Sequence, residues 1–294
     1  MISSMLLEAL GEEIDDPGTE SFLLFSQSIP SQNLGFVDSK ATLLELTIGD
    51  RDLTINQSPT ILSSNRGGGT TGAVVWKITP LFARWITSTN FLFKLGILDR
   101  ESAVLELGCG ISGIIGLSLA PLIGSYVLTD QDYVMKLLNQ NLIQNRQETS
   151  TASKGRKSSS KPKRGTISTT SLQASNIAAR PLDWETDEVT ASLTGNDSRK
   201  SFDAVIACDC IYNDALISPL VQTCVDACTL RVADDPAKKP AVCIVAQQLR
   251  SSEVFEGWLN EFHKAFQVWR LPDEELIAGL KSDSGFVVHI GILR

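Results

Sequence analysis

The sequence predicts an α/β fold: a Rossmann-like, doubly wound sheet with helices on both faces, closed by an antiparallel C-terminal strand and preceded by a β-hairpin extension. Two observations carry this. From Ser102 onward, short apolar runs alternate with segments whose apolar residues recur at helical spacing. Repeated β-α units of this kind build a parallel sheet. At the first junction, "VLELGCGISG" (Val104 to Gly113) sets Gly108, Gly110 and Gly113 in G-x-G-x-x-G spacing. Such a strand–turn–helix brings backbone N–H groups up to a ligand. With 294 residues, 43% of them hydrophobic, the chain can bury one large core or two small ones.

Residues 1 to about 40 are acidic and read as irregular. In "LELTIGDRDLTINQ", Leu44, Leu46 and Ile48 alternate with Glu45 and Thr47, Gly49-Asp50 breaks the run, and Leu53 and Ile55 resume it. This predicts a hairpin. "SSNRGGGTTG" is a glycine-rich loop ending at Gly72. "WKITPLFARWI" predicts a helix, with Pro80 tolerated in its first turn and Leu81, Phe82, Trp85 and Ile86 on one face. The extension is assigned to residues 1–70 and the main domain to 71–294.

Within the main domain "AVLELG", "SYVLTD", "FDAVIACD" and "AVCIVAQQ" are buried strands. The helices between them are "SGIIGLSLA", stopped at Pro121, "DYVMKLLNQNLIQN", "LISPLVQTCVDAC" and "EVFEGWLNEFHKAF". "QVWRL" and "GFVVHIGIL" alternate like an exposed or edge hairpin. One segment fits no core. Residues of about 146–176 are rich in Ser and Thr and carry seven Lys or Arg against one Glu. They predict a disordered, solvated insertion, with a nuclear signal or an RNA contact as the alternative.

The net charge of −8 disfavours bare phosphates as partners and favours basic protein segments. Acids stand near the N-terminus where a secretory signal carries Lys or Arg, and no apolar run reaches transmembrane length, so a cytoplasmic protein is expected. The basic insertion leaves a nuclear location open. The six cysteines read as reduced thiols. No metal site is expected, since His263 and His289 lie far from the cysteine pairs.

The glycine turn alone suits either NAD or S-adenosyl-L-methionine, because both contain adenosine; a turn with no ligand is the bland alternative. Asp130, 20 residues after Gly110, ends the second strand, where its carboxylate can accept both ribose hydroxyls. Glu106, two residues before Gly108, suits a ligand carrying an ammonium group and is unwelcome beside a pyrophosphate. Asp209 and Tyr212 follow the third strand, so that Gly108 to Gly110, Asp130 and Asp209 should meet at the carboxyl ends of the strands. An oxidoreductase reading requires a Tyr-x-x-x-Lys pair or a histidine near the crevice. Tyr133 and Tyr212 each have Leu four residues on, and both histidines come late. A non-catalytic adenosine-binding module remains the other alternative.

The segments "TGAVVWKITPLFARWI", "VLELGCGISGIIGLSLA", "LTDQ", "PLDWE" and "FDAVIACDCIYND" resemble the seven-strand S-adenosylmethionine-dependent protein-lysine methyltransferases of methyltransferase family 16. The likeness spans about residues 70 to 250, and the first and last segments are its most specific. The hairpin ahead of the core looks most like the fungal members that act on ribosomal proteins, while the basic insertion departs from the compact family pattern. The resemblance implies a seven-stranded sheet and a protein-lysine N-methyltransferase. It also implies a basic, ribosomal protein as partner, with no need for nucleic acid or membrane, and a monomer. Position by position, it implies Trp76 near the methionine end of the cofactor. Gly108, Cys109 and Gly110 would form the backbone cradle, with Asp130 on the ribose. Trp184 would lie against the adenine with Asp183 close by, and Ala207 and Cys208 would floor the adenosine. Asp209 and Tyr212 match a D-x-x-Y motif at the methyl-transfer end.

Overall fold

The computed structural model describes residues 4–31, 34–66, 69–152, 176–235, 237 and 239–294. The chain opens with helices α1 (Ser4–Leu10) and α2 (Pro17–Phe25), then strands β1 (Leu43–Ile48) and β2 (Arg51–Asn56). Helices α3 (Pro59–Leu62), α4 (Ile78–Ile86) and α5 (Phe91–Lys94) lead into the alternating part. That part runs β3 (Ala103–Leu107), α6 (Ile114–Leu119), β4 (Ser125–Asp130), α7 (Asp132–Ala152), β5 (Ile177–Pro181) and β6 (Ala204–Cys208). It continues through α8 (Ile217–Asp234), β7 (Val242–Gln248), α9 (Ser252–Ala265), β8 (Phe266–Arg270) and β9 (Phe286–Leu293).

Seven strands form one sheet in the order β5-β4-β3-β6-β7-β9-β8. The first five are mutually parallel, and β9 runs antiparallel to both β7 and β8. Side chains of each strand alternate between two cores. Val104, Leu128, Ile206 and Ile244 face one, and Leu105, Val127, Val205 and Val245 face the other. Both faces are covered, so the central strands are apolar throughout. The chain moves outward from β3 through β4 to β5, then returns to the other side of β3 with β6. The carboxyl ends of β3 and β6 therefore flank the topological switch point, where open α/β sheets hold their ligands.

Three expectations change. The stretch read as irregular holds two helices: Asp16 caps α2, accepting the Gly18 N–H at 3.0 Å, with Pro17 at the first helical position. This arm also covers the edge strand β8, the Ile14 N–H donating to the Val268 carbonyl at 2.8 Å, and Glu20 is buried beside Arg270 and His289. Second, β5 fell outside the periodic reading, because it is a short edge strand with one fully buried residue directly after the Ser/Thr-rich segment. Third, β9 is not an edge: it sits between β7 and β8 with all but its last residue buried. Of the insertion expected over 146–176, residues 146–152 continue α7, and 153–175 lie outside the described residues.

The predicted hairpin is present, Leu43 pairing with Asn56 and Ile48 with Arg51 around Gly49, whose φ is +61°. Its outer edge is closed by α7. The side-chain amides of Asn141 and Asn145 each accept and donate backbone hydrogen bonds at Asn56 and Thr54, all between 2.8 and 2.9 Å. Each such bond contributes about 1 kcal/mol and occupies groups that would otherwise template a foreign strand. The stretch Asp214–Asp234, at mean hydropathy 1.2, has the length and composition of a membrane span, against the sequence expectation. Leu220, Cys224, Ala227 and Cys228 of α8 are nonetheless buried against the sheet, as in a core helix. All six cysteines are free and buried, as expected.

Candidate active site

A cavity of about 910 Å³, counting the space at its open mouth, lies at the switch point. Its floor is the turn between β3 and α6. Gly108 and Gly110 have φ of +64° and +61° there, conformations that favour glycine. A Cβ on Gly108 would stand 2.7 Å from Cys210 Sγ and 3.0 Å from Trp184 Cζ2; one on Gly110 would stand 3.2 Å from the Gly72 carbonyl. The turn is fixed on its other side by the Cys109 N–H donating to the Thr129 carbonyl at 3.0 Å and the Ile111 N–H to the Gly72 carbonyl at 2.9 Å.

Two carboxyl groups flank this turn. Asp130 accepts the N–H of Gly110 at 2.8 Å and of Gln131 at 2.7 Å. Burial pushes it up to about 6, against those two hydrogen bonds. Glu106, at the carboxyl end of β3, accepts the Tyr126 hydroxyl at 2.7 Å. Burial pushes it up to about 8; the Tyr126 hydrogen bond opposes this and the charge of Asp130 adds to it. Burial likewise raises the thiols of Cys109, Cys208 and Cys210 well above the ordinary range, so they are protonated and not nucleophilic at neutral pH.

The carboxyls make a stability prediction. An acid raised in the folded chain keeps its proton where the unfolded chain has released it. Stability therefore falls as pH rises from the unfolded value, 4.5 for Glu106, to its folded value of about 8. The melting temperature is expected to decline across that window and to level off above it. Glu106→Gln, neutral at every pH, should remove most of the decline. An equal decline in the variant would show that Glu106 is already ionised in the folded chain.

The walls come from distant segments. Trp184 lines the cavity after β5, and its indole Nε1–H is buried without a partner. Asp183 beside it accepts the Glu185 N–H at 3.0 Å. Trp76 donates from Nε1 to the Thr71 carbonyl at 3.2 Å and packs against Phe36, ring centroids 4.4 Å apart. Tyr133 and Tyr212 complete the mouth, Tyr212 at 41% exposure. The Arg66 guanidinium lies 4.1 Å from the Tyr133 ring centroid. Burial raises both phenols, Tyr133 to about 12.

Asp209 is the one non-glycine among the described residues with positive φ, at +60°. Its side chain is 1% exposed and binds Arg250 through both oxygens, Oδ1 to Nη1 at 2.7 Å and Oδ2 to Nη2 at 2.6 Å. The Gln248 N–H also reaches Oδ1 at 3.2 Å. Arg250 in turn lies 4.9 Å from the Trp76 ring centroid. Asp209 caps no helix: Asn213 caps the short turn Asp214–Leu216, its side chain accepting the Ala215 N–H, and α8 starts after Leu216 with no side-chain cap.

Of the residues singled out in the sequence, Trp76, Glu106, Gly108, Cys109, Gly110, Asp130, Asp183, Trp184, Cys208, Asp209 and Tyr212 all line this cavity. Ala207 does not: the period of two turns it into the opposite core, among Leu105, Leu107 and Val245. Thr71, Gly72, Tyr133, Cys210 and Arg250 were missed. Gly72 ends a legible glycine-rich loop, and Cys210 follows the strand that bears Cys208 and Asp209. Arg250 gave no local signal, as its partner is 41 residues away.

The lining tests what the cavity can hold. A glycine cradle beside a buried carboxylate, an orphaned indole N–H and a second buried carboxyl fit a ligand with an adenosine and a cationic portion. They fit a pyrophosphate poorly, since the Asp130 carboxylate would repel it. A family model described as lysine methyltransferase, methyltransferase family 16, matches residues 55–157 and 165–253. Ribosomal lysine N-methyltransferase 5 of Vanderwaltozyma polyspora is 28% identical over 301 residues, covering 88% of this chain and 91% of that one. The Zygosaccharomyces rouxii protein of the same name is 30% identical over 239 residues, 75% and 72% of the two chains. A Schizosaccharomyces pombe protein named diaminohydroxyphosphoribosylamino-pyrimidine deaminase is 29% identical over 265 residues, 90% of this chain; the chain spans 55% of that protein's length. Matched over well more than half its length by that family model, this chain belongs to the lysine methyltransferase family.

Proposed function

We propose that this chain is an S-adenosyl-L-methionine-dependent protein-lysine N-methyltransferase whose substrate is a basic protein of the large ribosomal subunit. The observation that carries the cofactor assignment is the pair of buried carboxyls, Glu106 and Asp130, on either side of the glycine cradle. Asp130 holds the ribose, Glu106 faces the cationic methionine portion, and Trp184 and Asp183 hold the adenine. Trp76 packs at the methyl end, and the backbone of Gly108, Cys109 and Gly110 forms the cradle. The names of the fungal relatives and the net charge of −8 support a basic ribosomal partner. Six reduced thiols support action in the cytoplasm.

The bound cofactor supplies a methyl group on a positive sulfonium. The attacking lysine must be neutral, and only about one free lysine in a few thousand is so at neutral pH. The chain raises that fraction by removing the amine from water and placing it beside positive charge, both of which lower its pKa. Asp209 is saturated by Arg250 and does not take the proton, which leaves to solvent. What Asp209 does is hold the turn after β6, and with it Tyr212 and the Arg250–Trp76 contact, in place. Alignment and exclusion of water are then the main sources of rate.

Thermal unfolding with S-adenosylmethionine, S-adenosylhomocysteine and NAD tests the cofactor assignment. The first two are expected to stabilise by about 2.7 kcal/mol at a hundredfold excess over Kd, and NAD not at all. Incubation of undermethylated large ribosomal subunits with labelled cofactor should then place the label in methyl-lysine after hydrolysis. Stabilisation by NAD alone, or label in no lysine, would overturn the reading.

A further inference from the structure

A second, smaller cavity of about 330 Å³, counting the space at its open mouth, opens beyond the Asp209–Arg250 pair. Tyr212 lines both cavities and so stands between them. The smaller one is walled by Val254 and Phe255 from α9 and by Gln247, Gln248 and Arg250 from the end of β7. Gln247 is 2% exposed, and its Nε2 is buried with no hydrogen-bond partner. Gln248, the next residue, accepts from Arg250 Nη2 at 3.0 Å. An amide donor buried without a partner costs about 1–3 kcal/mol, a cost that a core position filled by leucine would avoid. Arg250 has further N–H groups beyond the three bonds to Asp209 and Gln248, and its side chain is 25% exposed. Unused donors, Gln247 Nε2 and the remaining N–H groups of Arg250, thus converge on this cavity between the apolar walls of Val254 and Phe255, at the distance of one side chain from the mouth of the main site.

We propose that this cavity is a specificity subsite, in which Gln247 Nε2 and Arg250 donate to the side-chain oxygen of a substrate residue flanking the methylated lysine. The size of the cavity suits one side chain, and its donors select a planar oxygen acceptor: the amide of Asn or Gln, or the carboxylate of Asp or Glu. Val254 and Phe255 pack the aliphatic stem of that residue. This rests on the methyltransferase reading and assigns part of its substrate recognition. It also accounts for a glutamine where β7 otherwise carries apolar side chains into this core, as at Cys243 and Val245.

The test uses the full chain with S-adenosylmethionine and an array of short peptides, each with one central lysine and one varied flanking residue. Wild type is expected to methylate peptides with Asn, Gln, Asp or Glu at one flanking position about tenfold faster than those with Leu there, a difference of about 1.4 kcal/mol. The amide and acid arms show which oxygen is preferred. Gln247→Leu should abolish that preference and, because an unpartnered donor is removed, melt no lower than wild type. Gln247→Glu replaces the donor with an acceptor and should turn the preference toward Lys or Arg, which serves if the leucine variant does not fold. Equal rates across the array, no peptide methylated, or an unchanged preference in whichever of the two variants folds would each overturn the subsite. Failure to bind S-adenosylmethionine would instead overturn the methyltransferase reading.

Discussion

Asp209→Asn is expected to lower methyl transfer to a protein lysine by about 10- to 1000-fold, while S-adenosylmethionine affinity stays within about threefold. The reason lies in the pair it forms. Asp209 and Arg250 meet through two hydrogen bonds of 2.6 and 2.7 Å, so together they are neutral. Asparagine fits the space and tolerates a φ of +60°. It keeps one acceptor but turns an amide toward the guanidinium, and Arg250 is left as an unpaired cation beside Trp76. A substrate ammonium must then enter against that charge. At an effective dielectric of about 20, a unit charge about 7 Å away costs about 2 kcal/mol, inside the expected range. Replacing Arg250 with methionine in the same variant removes the stray cation and should recover part of the rate. Rates unchanged by Asp209→Asn would reduce the pair to a fold element. An Asp209→Asn variant that loses cofactor binding and melts early would show the same.

Gly108→Ala is expected to weaken S-adenosylmethionine binding by at least about 30-fold, with methyl transfer falling in parallel. Two penalties combine. At φ of +64° an alanine costs about 1–2 kcal/mol relative to glycine. Its Cβ would also stand 2.7 Å from Cys210 Sγ and about as close to the Trp184 ring as packing permits, at 3.0 Å. Either the loop shifts away from β6 or Trp184 moves into the cavity, and both changes disturb the cradle. Adding Cys210→Ala removes the closest clash and should restore part of the affinity, but not the share owed to backbone strain. Calorimetric titration of both variants separates the two contributions. Wild-type affinity in Gly108→Ala would mean that this turn does not touch the cofactor.

Much of this arrangement was legible along the chain. The glycine spacing from Gly108 to Gly113, the acid at Asp130 and the aspartate ending "FDAVIACD" announce three strand ends that a doubly wound sheet must bring together. Hydrophobic periodicity located β3, β4, β6, β7 and the helices between them, because strands buried on both faces must be apolar at every position. It missed β5, whose edge position leaves most of its side chains half-exposed and whose apolar signal is only a few residues long. It also missed the N-terminal helices, of which α2 packs on α9 and shows only Asp16-Pro17 as a start signal.

The sequence by itself determined the sheet, the cradle and the acidic residues that face it, since each depends on neighbours a few residues away. Tertiary structure alone decided the state of those residues. Glu106 and Asp130 became raised acids because folding took them out of water. Asp209 became half of a neutral pair because Arg250, on the loop after the neighbouring strand β7, reaches it. Ala207 turned from the cavity to the core because register, not residue type, sets which face a strand position occupies. Solvation, pairing across long sequence separation and strand register are properties of the packed molecule, and no local pattern of residues encodes them.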